Sequence, residues 1–243
     1  NLGVEKAKGD ILAFVDADCI VPTDWLLAAM DILKDETIVG VGGNCYRKPD
    51  SNWLERAWAL DKGEVFRNVT SLATGSFIVR RDDFDLIGGF DEELEAGEDT
   101  ELSQRLIANG KKLKLYYKCN VVHLGYPNTI KDFVKRQVWQ TSDYLISVKK
   151  GFDKTFVMTV LFLIALAGVP ISLIVGHEES LLMFMSIILL IPFIATGFRL
   201  HNSVEKWASV LLLKVFVVQS LYFTGRSIGL AISLCRKIMG KYS

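Results

Sequence analysis

Residues 155–176 contain no charged side chain, and a helix over them is long enough to cross the hydrocarbon layer of a membrane. A second uncharged run, 180–198, follows after only His177, Glu178 and Glu179 interrupt the apolar sequence. Two such runs with so short a polar break predict a tight helical hairpin. Pro170 and Pro192 do not oppose it, because neighbouring helices in a bundle satisfy the carbonyls that a proline frees. Residues 208–235 are also apolar but carry Lys214 and Arg226. At 100° per residue their twelve-residue spacing puts these charges about 120° apart, so they share no polar stripe. The prediction there is a third span with a buried or snorkelling charge, or two shorter interfacial pieces.

The remaining sequence has a different character. Residues 1–150 hold 24 of the 28 acidic and 20 of the 28 basic side chains, leaving 4 and 8 for 151–243. The net charge of zero is therefore a sum over a charge-rich globular segment and a membrane segment. With 50% hydrophobic residues and no basic excess, the chain is neither disordered nor a basic nucleic-acid-binding protein, and no nucleic acid is expected as a partner. Lys149, Lys150 and Lys154 precede the first span, and Arg199 and Lys206 follow the second, so the positive-inside rule places the N-terminal domain in the cytoplasm. Arg236, Lys237 and Lys241 also prefer the inside, in conflict with an odd number of spans. Cys19, Cys45, Cys119 and Cys235 form no Cys-x-x-Cys pair and read as reduced thiols. The chain opens on Asn1 with no signal peptide before its first motif, which suggests truncation at the N-terminus.

Within 1–150, short apolar runs alternate with helical ones, the pattern of an α/β domain. Strands are predicted at 11–15, 38–41 (ending in Gly42-Gly43), 76–79, 112–117 and 120–124. Helices are predicted at 23–33 with Thr23 as N-cap, at 52–67, at 98–108 closed by Asn109-Gly110, and at 129–148. The domains follow as 1–128, a connecting amphipathic helix at 129–154, and membrane or interfacial helices at 155–243.

Four features could carry chemistry. Asp16 and Asp18 end the first strand, where open α/β sheets bind ligands. Two carboxylates at that spacing repel unless a cation joins them, and hard divalent ions such as Mg2+ take oxygen donors. A solvated turn capping the next helix accounts equally well for the pair. Glu98 and Asp99 open a helix, where the dipole favours carboxylates without any function, or where one of them serves as a general base. His123 ends an apolar strand, either as a metal ligand or as a hydrogen-bonded structural residue. Thr74-Gly75-Ser76 and Gly88-Gly89-Phe90 place glycine where backbone turns or approaches a ligand closely.

Taken together in order, NLGVEKAKGDILAFVDADC, TGSFIVRRDDFDLIGGFDEEL, GEDTELSQRLIANGKK and VVH resemble the family-2 glycosyltransferases over roughly residues 1–125. The resemblance implies a glycosyltransferase A-type, Rossmann-like α/β domain, incomplete at its N-terminus and followed by a transmembrane helical region. It implies an inverting transfer of a hexosyl or related sugar from a nucleotide-sugar donor to a hydroxyl of a lipid-linked or polysaccharide acceptor. By position, Asp16 matches the carboxylate nearer the nucleotide and sugar, and Asp18 the one facing a divalent metal, Mg2+ or Mn2+. His123 matches the histidine that completes the metal shell. Asp99 matches the catalytic base, with Glu98 in support. Gly75 and Ser76 match the backbone facing donor and acceptor. Arg80 or Arg81 could meet phosphate, and Gly88, Gly89 and Phe90 match a turn in which packing dominates.

Two departures bear on activity. Processive polysaccharide synthases carry Gln-x-x-Arg-Trp after the base, whereas this chain has Lys135-Arg136-Gln137-Val138-Trp139. Only Trp139 keeps its place, with Arg136 or Gln137 a substitute if the register slips. Single-sugar transfer is favoured over a processive synthase. The family's opening strand and nucleotide-gripping acidic residues do not precede Asn1, so residues 1–243 alone are expected to be inactive. A catalytically silent scaffold of an envelope assembly complex is the non-enzymatic alternative.

Overall fold

A computed structural model of the protein describes residues 1–94, 97–108, 110–141, 154–205 and 208–238. The chain forms two compact units, one of residues 1–51 and 61–126, the other of residues 52–60 and 127–243.

In the first unit the described strands are β1 (Ile11–Phe14), β2 (Cys19–Ile20), β3 (Ile38–Gly42), β4 (Cys45–Arg47), β5 (Phe66–Val69), β6 (Phe77–Arg80), β7 (Lys112–Tyr116) and β8 (Val121–His123). Five of them build a mixed sheet in the order β1-β6-β3-β7-β5. β6 runs antiparallel to both β1 and β3, β3 runs parallel to β7, and β5 closes the edge antiparallel to β7. Its two faces are covered differently. Phe77 and Val79 join Phe84, Leu102, Leu106 and Leu113 on one side, while Ile78 and Val41 meet Trp25, Ala29 and Cys119 on the other. Burial on both faces is why β3 and β6 read as unbroken apolar runs rather than as alternating ones. The covering helices are α2 (Trp25–Ile32), α4 (Arg81–Leu86) and α5 (Glu98–Ala108), and α1 (Leu2–Lys6) precedes β1. A second, three-stranded sheet has the order β2-β8-β4, with β2 antiparallel and β4 parallel to β8.

Three local expectations are corrected. The helix predicted at 52–67 is α3 (Trp53–Trp58), capped by Asn52, whose side chain accepts from the Leu54 and Glu55 amides. Gly63 then turns the chain at φ 69°, a left-handed conformation that a continuing helix cannot contain, and β5 follows. The helix after β2 begins at Trp25 with Asp24 as N-cap rather than at Thr23, because a turn closed by the Trp25 amide on the Pro22 carbonyl takes up the residues before it. Ser76 falls in a short 3-10 turn, Thr74–Ser76, ahead of β6.

The second unit holds α3 together with α6 (Ile130–Trp139), α7 (Lys154–Val175), α8 (Glu178–His201) and α9 (Ser209–Ile238). The predicted helix at 129–148 is α6 as far as Trp139, with Gln140 as its C-cap, and the described residues continue to Thr141. Its remainder, with Lys149, Lys150, Lys206 and Lys241 of the positive-inside argument and Asn109 of the α5 terminus, lies outside the described residues. α7, α8 and α9 have 22, 24 and 30 residues and are each long and apolar enough to cross a membrane. α9 is continuous, which corrects the reading of two shorter pieces. Lys214 is exposed, and the Arg226 guanidinium lies 4.6 Å from the Tyr222 ring centroid, so neither charge breaks the helix. Hydroxyls within these helices return to carbonyls one turn back: Thr159 donates to Thr155, Ser186 to Leu182 and Thr224 to Ser220. These three hydroxyls are thereby paired within their own helices.

Candidate active site

The first unit gathers the predicted acidic and histidine residues by strand pairing. β1 delivers Asp16 just past its C-terminal end, and the Cys19 amide donates to the Asp16 carbonyl at 2.9 Å, closing the turn into β2. β2 then pairs with β8 so that Cys19 stands opposite His123. The Leu124 amide donates to the Asp18 carbonyl at 2.8 Å, holding the end of β8 against the same turn. As a result Asp16, Asp18, Cys19 and His123 each offer a donor atom, and all four atoms lie within 4.8 Å of one another. His123 Nε2 is 3.6 Å from Asp18 Oδ2.

The surroundings fix this cluster. His123 is 7% exposed, and its ring lies 4.6 Å from that of Tyr126, whose hydroxyl donates to the Cys45 carbonyl at 2.7 Å. A Cβ on Gly125 would fall 1.8 Å from Asp18 Oδ2, so only glycine leaves that carboxylate its place. A Cβ on Gly75 would sit 3.0 Å from Cys45 Sγ and 3.1 Å from Asp16 Oδ2, which makes Gly75 a wall of the same cluster. The Ser76 hydroxyl is committed elsewhere: it accepts from Trp25 Nε1 at 2.9 Å and donates to the Cys119 carbonyl at 2.6 Å.

The donor set fits a divalent cation. Two carboxylates, an imidazole and a thiol converge on one cation-sized space, and His123 Nδ1 is buried without a hydrogen-bond partner among the described residues. Asp16 and Asp18 with His123 are the residues that would hold the ion.

Asp99 lies in the first turn of α5, introduced by Gly97 at φ 84°, and accepts from the Thr100 amide at 2.6 Å. Burial holds its carboxyl above the usual carboxylate range, and the charges of Glu98 and then Asp16 push in the same direction. That Asp16 contributes places Asp99 within electrostatic reach of the cluster. The thiols shift upward as well: Cys45 is pushed up to about 12 by burial, with Cys19 and Asp16 adding to it.

The arginines go elsewhere. The Arg80 guanidinium donates to the carbonyls of Ile38, Leu33 and Asp35, the last two at or just beyond the C-terminus of α2, and approaches Asp83 at 3.7 Å. Arg81 donates to the carbonyls of Gly9, Val4 and Ala7. Gly88 and Gly89 close α4 with φ of 82° and 71°, and Phe90 packs edge-on against Phe14 and Phe84, the packing role expected of this turn. Arg136 and Trp139 belong to α6 in the second unit, with Trp139 51% exposed. Cys19, Gly125 and Tyr126 are site residues that sequence reasoning missed. The signal for the last two was the string HLGYP, read only for its histidine.

Residues 1–88 match the model of the glycosyl transferase family 2. Among curated relatives, the pre-mycofactocin glycosyltransferase of Mycobacterium tuberculosis is 22% identical over 97% of this chain and 51% of its own length. The glycosyltransferase AglE of Haloferax volcanii is 26% identical over 52% of this chain and 43% of its own. The chain thus spans about half the length, or less, of these relatives. Of solved structures, a mannosyltransferase from Pyrobaculum calidifontis in complex with GDP-Man and Mn2+ aligns at 16% identity with a TM-score of 0.47, over 99% of this chain and 65% of that one.

Proposed function

We propose that this protein is a membrane-anchored, inverting glycosyltransferase that moves a sugar from a nucleotide-sugar donor to a hydroxyl of a lipid-linked or polysaccharide acceptor. The observation that carries the reading is the convergence of Asp16, Asp18 and His123 on one cluster within a family-2 domain, with the base candidate Asp99 in electrostatic reach of Asp16. A divalent ion, Mg2+ or Mn2+, bound there would supply positive charge to the departing diphosphate. Asp18 and His123 hold that position, with Tyr126 packed on the imidazole and Gly125 leaving room for the carboxylate. Asp16 faces the donor's sugar side, and Gly75 keeps that wall free of a side chain. Ser76, its hydroxyl used by Trp25 and Cys119, fixes the turn and presents only its backbone to the donor. Asp99 takes the proton of the acceptor hydroxyl as its oxygen attacks the anomeric carbon, and Glu98 raises the basicity of Asp99 through its charge.

The membrane segment supports a cytoplasmic catalytic domain. α7 and α8 cross as a hairpin, with Lys154 and Arg199 at its cytoplasmic ends. α9 packs against the proximal halves of that hairpin: Phe223 meets Phe162 and Ile191, Val215 and Val218 meet Leu200, and the Ser227 hydroxyl reaches the Thr159 carbonyl at 3.4 Å. On its other side Gly225 and Gly229 lie against α6, which carries Lys131, Asp132, Lys135 and Arg136. A helix wedged between charged α6 and the hairpin's cytoplasmic half lies along the interface. Two spans then return the C-terminus to the cytoplasm, where Arg236 and Lys237 belong, which removes the parity conflict in the charge pattern.

The test is transfer of label from a panel of nucleotide-sugars into lipid extract or saccharide by membranes containing the full-length gene product, with the anomeric configuration of the product read by NMR. The expected result is an inverted product and a loss of about 10²–10⁴-fold in rate for Asp99→Asn. Transfer that survives Asp99→Asn unchanged contradicts the assignment of the base.

A further inference from the structure

Cys19 stands inside the carboxylate and histidine cluster rather than beside it. Its Sγ is among the four donor atoms that lie within 4.8 Å of one another, because the β2–β8 register sets Cys19 opposite His123 and the turn from Asp16 pins its amide. Cys45 faces it from β4: a Cβ on Gly75 would lie 3.0 Å from Cys45 Sγ, 3.5 Å from Cys19 Sγ and 3.1 Å from Asp16 Oδ2, so both sulfurs and that carboxylate oxygen border one small space. Cys119 differs, being fully buried with its thiol directed at the Trp25 carbonyl. Two carboxylates and an imidazole suit Mg2+ or Mn2+, whereas a sulfur in the same shell favours borderline-soft ions.

We propose that Cys19 Sγ is a ligand of the cation site, oriented by Cys45, and that it biases the site toward thiophilic divalent ions such as Zn2+ and Co2+ over Mg2+. This inference rests on the cluster being the cation site of the transferase. As the sulfur–metal bond forms, the Cys19 thiol proton passes to solvent, and the ion keeps the carboxylates and His123 as its other donors. Zn2+ then competes with Mg2+ for one set of residues.

The experiment is a Co2+ titration of the full chain in detergent, followed by the near-ultraviolet absorption of thiolate-to-cobalt charge transfer, beside Mg2+ affinity measured by calorimetry. Wild type, Cys45→Ser and Cys119→Ser are expected to give the band. Cys19→Ser is expected to lack it and to bind Co2+ about tenfold or more weakly, with Mg2+ affinity unchanged. Cys19→Asp, which replaces sulfur by oxygen, is expected to keep Co2+ affinity without the band, separating ligand loss from misfolding. Co2+ binding without the band in wild type, or a band that survives Cys19→Ser, overturns the sulfur ligand and leaves the cation site standing. If wild type binds neither Co2+ nor Mg2+, the cation site itself falls and this inference with it.

Discussion

Gly125→Ala isolates the cation site from the fold. The added Cβ would lie 1.8 Å from Asp18 Oδ2, 3.0 Å from Asp18 Cγ and 3.1 Å from His123 Cε1. Ordinary contact between carbon and oxygen needs ~3.3 Å or more, so one partner must move by roughly 1.5 Å. Asp18 is the partner able to move, since its side chain is 46% exposed and rotates into water without disturbing the core. Displacing it removes one oxygen donor and leaves His123 alone on that side. Cation affinity is expected to fall about 10–100-fold, equivalent to about 1.4–2.8 kcal/mol. Calorimetric titration with Mn2+ measures this, and the melting temperature serves as the internal control. Gly43→Ala provides the contrast, because its Cβ would fall 2.0 Å from the Cys119 carbonyl oxygen, a backbone atom that cannot rotate away. That variant is expected to lose stability by about 1–3 kcal/mol or more. Mn2+ affinity within twofold of wild type for Gly125→Ala, at unchanged melting temperature, refutes the placement of Asp18 in the cation site.

The rate of transfer should fall with decreasing pH through an acid limb above the usual carboxylate range, because Asp99 works deprotonated and its pKa is raised. Glu98→Gln removes a neighbouring negative charge, which lowers that pKa, so a pH–rate profile should show the limb moving to lower pH. Arg80→Met should cost about 2–3 kcal/mol in denaturant unfolding through lost bonds to the Leu33, Asp35 and Ile38 carbonyls, with KM for the donor unchanged; a raised KM would return the arginine to a phosphate role. Cys235 is exposed near the C-terminus of α9, so in a variant keeping only that cysteine a membrane-impermeant thiol reagent should label inside-out vesicles and spare right-side-out ones. The opposite pattern would make α9 a third span.

What could be read from the sequence was what short-range pattern encodes. β1 with Asp16 and Asp18 stood out because an unbroken apolar run ended in carboxylates, and β3 and β6 because both faces of the sheet are covered. α5 began where its acidic first turn and Gly97 placed it. β5 was invisible, since Phe66 to Asn68 are exposed on a sheet edge and carry no alternating pattern. β2 and β4 have two and three residues, too few for any periodicity. The membership of Cys19, Gly125 and Tyr126 in the site depends on cross-strand register between residues about a hundred positions apart, which composition does not record. Ser76 and Arg80 carry polar groups whose partners belong to distant elements, the Trp25 indole and the Cys119 carbonyl for Ser76 and the Leu33, Asp35 and Ile38 carbonyls for Arg80, so their chemical type alone suggested ligands they do not need. In α9, Lys214 and Arg226 looked like interruptions until exposure and the Tyr222 ring accounted for them.

The most direct test of the account is cation-dependent transfer by membranes holding the full-length gene product, either wild type or Asp18→Asn, stripped with a chelator and then resupplied with Mn2+. For wild type the account predicts that label stops moving from nucleotide-sugar to acceptor on chelation and resumes with the ion, while Asp18→Asn stays inactive at any Mn2+ concentration that restores wild type. Transfer that persists through chelation and through Asp18→Asn would contradict it.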